Sequence, residues 1–492
     1  MVIKLDEGLT EVKVPSTKDH PDLLPTPISQ RVIGSFTYTI MILTMAITTS
    51  IFFLGWLSQI LGLSLVQALV AAFIGNGVVA IIMTLNGWVG VKYGIPFPIQ
   101  LRSSFGVRGS IAPLLVRAIV SIFWYGVDGY IAAWAITTSA MLVAGFSPDI
   151  IVSESLRYTP ITFIIYLAIV GLVGYKRITG IKYLDLVAGP LLIIFFTWFV
   201  IYLYTEPSLP KNPIPIYEGR VSWISTEFFL MIAVQTAWWS TIALNVSDIC
   251  RFNKSFKSLY YGHTLGLIVP QVVGTLLGFI ATSLTGGVYS PIDIIAKYSP
   301  TPVLGLFGLI FAILATASTN VTGDVPAATN AIIRIARIRW ERAVIASTVL
   351  AWLVIGPYSI AFWKVSIDVA NYLLLYNWYY SMWLGPIAGV MVVDYWVLRK
   401  RLLRAEELYN HSGIYSYHRG INIAGLAAFV ISILIEYLLS TAQGSVRIYF
   451  GFIPVPGIEL AWYYGFISAA LIYLILARAM RSHVLPEVTR VG

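Results

Sequence analysis

Apolar runs of about 20 residues recur along this chain from Val32 almost to its end, each long enough to cross a bilayer as a helix. Hydrocarbon offers no partner to a backbone N–H or C=O, so such runs must close their hydrogen bonds internally, as helices. Composition agrees: 58% of the 492 residues are hydrophobic, 11% are charged, and the mean hydropathy is +0.80. A soluble domain carries roughly twice that charged share. The chain therefore reads as an all-α polytopic membrane protein. Its first 31 residues are polar and carry both signs, unlike a cleavable signal peptide. Cys250 is the single cysteine, which excludes an internal disulfide and a cysteine metal cage. The five histidines include no helix-spaced pair, so no metalloenzyme signature appears. The net charge of +9 is better explained by basic loops than by nucleic acid as a partner.

Twelve transmembrane spans are expected, at about 33–59, 64–91, 111–143, 159–174, 184–204, 223–247, 261–285, 303–332, 343–361, 367–398, 420–441 and 457–477. Lysine and arginine orient them. With the N-terminus inside, 25 basic residues fall in inside segments and six in outside loops (Arg157, Lys211, Arg220, Lys297, Lys364 and Arg447). Arg117 alone falls within a span. That bias places both termini in the cytoplasm and supports an even number of spans. The chain divides into a cytoplasmic tail 1–32, a core 33–398, a cytoplasmic loop 399–419, two further helices in 420–477, and a tail 478–492.

Polarity at membrane depth marks four spans. The third contains Ser121-Ile-Phe-Trp-Tyr-Gly-Val-Asp-Gly-Tyr130, in which Trp124 and Asp128 are one helical turn apart on one face. An indole plate beside a polar group suits a flat, nitrogen-rich ligand; a packed tryptophan and a protonated, bundle-facing aspartate is the plainer account. A charge in mid-span usually faces a cavity or pathway. The first span contains Thr44-Met-Ala-Ile-Thr-Thr-Ser50, whose hydroxyls can satisfy carbonyls freed by a helix break or bond back to their own helix. The sixth contains Gln235-Thr-Ala-Trp-Trp-Ser-Thr-Ile-Ala-Leu-Asn245, with paired tryptophans deeper than the usual interfacial belt. The eighth reads Ala315-Thr-Ala-Ser-Thr-Asn-Val-Thr-Gly-Asp324; small residues permit close packing, but packing does not explain the aspartate. Spans one and six are five apart, as are three and eight. That is the placement expected of a five-plus-five inverted repeat, about 33–204 and 223–398, with broken helices 1 and 6, a site near mid-membrane, and two extra C-terminal helices.

At this point the chain resembles the nucleobase:cation symporter-1 family of permeases. The resemblance is carried by six pieces in order. They are Asp22-Leu-Leu-Pro25 with Arg31, Arg102-Ser-Ser-Phe-Gly-Val-Arg-Gly-Ser110, Phe123-Trp-Tyr-Gly126, and Asn245-Val-Ser-Asp-Ile-Cys-Arg-Phe252. The last two are Leu384-Gly-Pro-Ile-Ala-Gly-Val-Met-Val-Val-Asp-Tyr395, and Glu407-Leu-Tyr409 with Gly413-Ile-Tyr-Ser-Tyr-His-Arg-Gly-Ile-Asn422. The family's twelve helices and inverted core agree with the span count.

The resemblance implies a substrate held between Trp124 and Trp239. It puts Trp238 where hydantoin-transporting members have glycine, and Thr48 where that branch has glutamine. Two site amides are carboxylates here: Asp128 stands at a glutamine position and Asp324 at an asparagine position. An ionised carboxylate only accepts hydrogen bonds, whereas an amide also donates. The resemblance further implies a sodium ion held by the carbonyls of Thr44, Ile47 and Ala315 and the hydroxyls of Ser318 and Thr319. By helical spacing Asp324 should face the substrate cavity rather than this ion.

The expected activity is sodium-coupled import of a planar nitrogen heterocycle (a nucleobase, hydantoin, allantoin or thiamine-like vitamin) across the plasma membrane, by a functional monomer with no cofactor. The alternative is a proton-coupled transporter using Asp128 or Asp324 as proton carrier. An enzyme is not expected: no catalytic Ser/His/Asp set lies at membrane depth. Arg117 is about 16 Å along its helix from Asp128 at 1.5 Å per residue, and Asp324 has no basic neighbour in sequence before Arg334. Both carboxylates are therefore expected to lack a protein cation, which leaves as partner a proton, a bound metal ion, or a cationic or amine-rich substrate.

Overall fold

The computed structural model describes residues 8–14, 17–209, 211–288, 290–365, 369–442 and 460–480. The helices are α1 (Ser35–Ala46), α2 (Phe52–Ile60), α3 (Leu65–Tyr93), α4 (Phe97–Phe105), α5 (Ile111–Val143), α6 (Pro148–Tyr175), α7 (Arg177–Thr205), α8 (Thr226–Asn245) and α9 (Ser247–Cys250). They continue as α10 (Lys257–His263), α11 (Val269–Leu284), α12 (Pro291–Tyr298), α13 (Pro302–Thr319), α14 (Val325–Ala336), α15 (Trp340–Val365), α16 (Val369–Val392), α17 (Ile423–Ala442) and α18 (Ala461–Ala479). Among the described residues nine helices are long and apolar enough to cross a membrane, or ten with the bent pair α1–α2 counted as one span. No strand beyond isolated bridges occurs among them. The tail beyond Met480 and the loop carrying Arg447 lie outside the described residues, as do residues 1–7.

The first span breaks where its sequence turns polar. α1 stops at Ala46, Ile47 and Thr48 are non-helical, and the chain resumes at a 57° bend. The carbonyls of a last helical turn lack intrahelical amides, and here other helices supply the donors. Gln271 Nε2 donates to the Ala46 carbonyl (2.6 Å) and Thr319 Oγ1 to that of Met45 (2.8 Å). The break's own hydroxyls do otherwise: Thr48 and Ser50 bond each other at 2.7 Å, and Thr44 donates to the Asp185 carbonyl at 2.6 Å. Span six differs from expectation in place: α8 runs continuously to Asn245 and is interrupted only at Val246, at the end of the span. The eighth span carries a π-helical turn, Asn320–Asp324, between α13 and α14. Such turns commonly mark functional positions.

Backbones approach closely where glycine permits. A Cβ on Gly55 of α2 would lie 2.2 Å from the Phe279 amide nitrogen, and one on Gly278 would lie 2.5 Å from the Phe52 carbonyl oxygen. α2 and α11 thus touch backbone to backbone.

The basic face is closed by a junction that the short helix α4 organises. Arg102 of α4 is fully buried and grips Asp19 with both terminal nitrogens (2.6 and 2.7 Å) while donating to the Leu408 carbonyl at 2.7 Å. Asp22 accepts the Trp340 amide, Arg31 donates to the Val91 carbonyl, and Asn422 Nδ2 donates to that of Ser104. The described part of the N-terminal segment is therefore packed into this face. Four of the six sequence pieces that carry the family resemblance meet here or at the adjoining Asp394–Arg399 pair (2.9 Å).

Burial alone would raise the Asp19 carboxyl, but the Arg102 guanidinium and His411 outweigh it and hold it down at about 2. A lowered carboxyl contributes stability that is whole above its unfolded value, about 4, and is lost as pH falls through the folded value. The hydrogen-exchange protection factors of residues 17–24, each referred to the intrinsic rate at that pH, should be constant above pH 4 and fall as the pH drops toward 2. Asp19→Asn leaves Arg102 buried and unpaired, at a local cost of about 3–5 kcal/mol, and should give fast exchange at neutral pH. Protection equal to that of the unmodified chain would contradict this account.

Candidate functional site

The break in the first span, the middle of α5, the polar stretch of α8 and the π-helical turn after α13 converge on one buried cavity. Its lining includes Thr48, Trp124, Asp128, Trp238, Trp239 and Asp324, together with Ser50, Thr241, Ile242, Thr319 and Gly323. All six residues expected at a substrate site are thus brought together from four spans. The cavity has about 20 Å³ of free space, enough for one water molecule and too little for a heterocycle. A larger crevice of about 760 Å³ opens on the basic face among Lys18, Arg108, Arg334 and Arg337, and contains none of these residues.

The indoles close the cavity. Trp238 lies against Trp124, with ring centroids 5.3 Å apart and planes at 58°, and Tyr380 meets Trp124 edge-on at 6.1 Å. A tryptophan at 238 therefore narrows the site. Tyr380 is fixed by donating its hydroxyl to the Ala237 carbonyl at 2.9 Å. The buried polar atoms of the lining with no hydrogen-bond partner among the described residues include the acceptor Asp128 Oδ1 and the donor Trp239 Nε1. Buried polar atoms are rarely left unmatched in a folded protein, so an acceptor and a donor facing one cavity describe what a ligand there would complement. Ser50, already bonded to Thr48, also reaches the Asp128 side chain.

The charge balance differs from the expectation drawn above. Arg117 and Asp324 are far apart in sequence, but α5 packs along both α13 and α14. This brings Arg117 Nη2 to 3.8 Å from Asp324 Oδ1, with side chains 1% and 7% exposed. The expectation that Asp324 lacks a protein cation is corrected: the cation arrives from a neighbouring helix, which spacing along one helix cannot reveal. Arg117 is itself held by the Thr241 carbonyl (3.0 Å), by Asn245 Oδ1 (2.9 Å) and by the Ser121 hydroxyl. Asp128 has no such ion pair among the described residues, so two carboxylates line the cavity and one guanidinium, outside the lining, stands beside Asp324.

The residues expected around an ion gather at the junction of α1, α7 and α13. Thr319 Oγ1 bridges the carbonyls of Met45 (2.8 Å) and Ala315 (3.3 Å), next to the break that exposes Thr44 and Ile47. Ser318 instead donates to Asp185 of α7 at 2.5 Å. Asp185 was not among the expected site residues. Its signal was present, an acid in the first turn of the expected span 184–204, but it follows the basic group Lys176, Arg177 and Lys182 and reads there as the charged edge of the span. The structure buries it completely.

Residues 25–465 match the family model described as a permease for cytosine/purines, uracil, thiamine and allantoin. The chain is 27% identical to a purine-uracil permease NCS1 of Arabidopsis thaliana, covering 96% of this chain and 80% of that one. It is also 27% identical to an allantoin permease of Bacillus subtilis, covering 85% and 84%. Among solved structures it superimposes with a TM-score of 0.76, at 22% identity over 94% of this chain and 95% of the other, on MHP1. That protein is a nucleobase-cation-symport-1 family transporter in a closed conformation with bromovinylhydantoin bound. The likeness establishes an inverted-repeat transporter fold, as the spacing of the polar spans implied.

The Arg117–Asp324 pair can be weighed directly. Arg117→Met strands a buried carboxylate and should destabilise the protein by about 3–5 kcal/mol, with much of that recovered in Arg117→Met/Asp324→Asn. A double-mutant cycle on thermal unfolding in detergent measures the coupling. Strictly additive losses would show that the two side chains do not interact.

Proposed function

This chain belongs to the family of permeases for cytosine/purines, uracil, thiamine and allantoin, and from that premise we propose that it is a sodium-coupled symporter importing a planar nitrogen heterocycle. The observation that carries this reading is the closed cavity whose walls hold two indole faces, an unmatched acceptor on Asp128 and an unmatched donor on Trp239. A ring with an N–H group on its edge answers the acceptor: its N–H donates to Asp128 Oδ1, while the in-plane Trp239 N–H is left to a group beyond the stacked ring. Uracil, purines, allantoin and hydantoin, which the names of the relatives bring in, all present such an edge. The heterocycle lies between Trp124 and Trp239, and stacking on aromatic faces selects flat ligands over bulky saturated ones. Trp238 and Tyr380 bound the site at its edge, and Thr48 adds a hydroxyl contact. Because Arg117 offsets Asp324, one carboxylate, Asp128, is left to receive the ring's N–H, rather than two to receive a cation.

The free space is too small for this ligand, so loading requires the helices around the cavity to separate. Transport then alternates access to a central site by rocking one helix bundle against the other. Sodium is held where α1 breaks, by the carbonyls of Thr44, Ile47 and Ala315 and the hydroxyls of Ser318 and Thr319. The basic face is cytoplasmic, in the plasma membrane, and the junction around Arg102 is the inner seal.

Uptake into proteoliposomes of labelled uracil, allantoin, hydantoin and thiamine, with sodium and pH gradients imposed separately, tests this reading. An inward sodium gradient should drive accumulation of a neutral ring. Trp124→Ala and Trp239→Ala should each weaken substrate binding by about fivefold or more, the loss of about 1 kcal/mol in stacking, while the protein still inserts. Asp128→Asn should change which rings compete. Uptake driven only by the pH gradient would replace sodium with a proton, and wild-type binding by both tryptophan variants would rule out the stacked site.

A further inference from the structure

Asp185 of α7 is fully buried, and both of its carboxylate oxygens are engaged from the eighth span. Ser318 Oγ donates to Oδ1 at 2.5 Å and Thr322 Oγ1 to Oδ2 at 2.9 Å. Ser318 and Thr322 are themselves fully buried, as is Thr44, whose hydroxyl holds the Asp185 carbonyl at 2.6 Å. The packing is tight: a Cβ on Gly189, one turn along α7, would lie 2.3 Å from the Thr44 hydroxyl. Three other buried acids have a cation, Asp19 with Arg102, Asp324 with Arg117 and Asp394 with Arg399, whereas Asp128 and Glu436, like Asp185, show no ion pair among the described residues. No basic side chain pairs with Asp185 among the described residues. Two hydroxyls do not cancel a full charge removed from water, and a buried unpaired charge is strongly disfavoured.

We propose that Asp185, Ser318 and Thr322 form a second monovalent-cation site that takes sodium alongside the one at the helix break. Its donor set is two carboxylate oxygens and two hydroxyl oxygens, hard ligands suited to a small hard cation. The hydroxyl hydrogens rotate off the carboxylate when the ion enters, leaving their lone pairs directed at it. Ser318 is common to both ion positions and Thr44 stands between them, so occupancy of one organises the other. The carboxylate makes this site charge-neutral when loaded, whereas the set at the break is built from uncharged oxygens. The second ion also ties α7 to the eighth span. Closure of the substrate cavity, whose wall includes Thr319 and Asp324 of the eighth span, therefore depends on it.

This inference rests on the sodium-coupled reading above, and one experiment separates the two. Purified full-length protein is titrated with sodium chloride at constant ionic strength, and the affinity for a transported ring is followed at each concentration. With two sodium sites, substrate affinity in the unmodified protein rises with about the second power of sodium concentration. Asp185→Asn should reduce this to about the first power. Thr322→Val, which leaves the carboxylate and the helix-break set intact, should raise the sodium midpoint about tenfold, within the span of measured couplings between sites. Folding of each variant is checked by its unfolding temperature, and Thr322→Val carries the test if Asp185→Asn does not fold. A sodium-dependent unmodified protein whose power and midpoint are unchanged in both variants overturns the second site and leaves the first. Binding that ignores sodium in the unmodified protein overturns the coupling reading itself.

Discussion

The structure depends on one constraint: a helix broken inside a membrane must find donors for the carbonyls it releases. An unsatisfied carbonyl in hydrocarbon costs several kcal/mol, so the break at Ala46–Thr48 is stable only because Gln271 and Thr319 reach it from other spans. Those two contacts fix the seventh and eighth spans against the first. They also determine what the break can offer. Thr319 holds the released backbone on one side and lines the cavity on the other, so the helix break and the cavity share a wall.

Charge is handled by the same economy of neighbours. Arg117 would be prohibitive alone at this depth, yet it donates to a carbonyl, an amide oxygen and a hydroxyl, with Asp324 close by. Breaking such a group by removing one partner is costly, while its net contribution to stability is small. Its value lies in specificity: Arg117 links α5 to α8 and to the eighth span, the elements that surround the cavity. Asp128 and Asp185 differ in lacking an ion pair. One faces the cavity and the other the ion junction, which are the two places where a transported species could complete them.

The sequence pieces that made the family recognisable do mostly structural service. Arg102, Asp22, Asn422 and Asp394 hold the basic face together through buried hydrogen bonds and ion pairs. Four positions that line the cavity, 48, 128, 238 and 324, are where the family resemblance has this chain depart from the hydantoin branch. A shared closure and a variable cavity are compatible because the two are separated along the helices.

The helical class and the residues of the cavity were legible in the sequence. Hydrophobic run length sets what can span a bilayer, and a polar residue retained inside such a run must face protein or ligand, which singled out Asp128 with Trp124 and Asp324; Thr48 and Trp239 were picked out of their polar stretches by the family resemblance. The helix break was legible too, from clustered hydroxyls at mid-span, although the donors that satisfy it were not those hydroxyls. Pairing was decided only by the tertiary structure. Arg117 meets Asp324, Asp185 meets Ser318 and Thr322, and Trp238 closes on Trp124, each across helices whose rotation and depth no spacing rule supplies. Periodicity along one helix gives the face a residue occupies. Which face of which other helix lies opposite is set by close packing of small residues and by backbone groups that must be satisfied, and these act only once the bundle has formed.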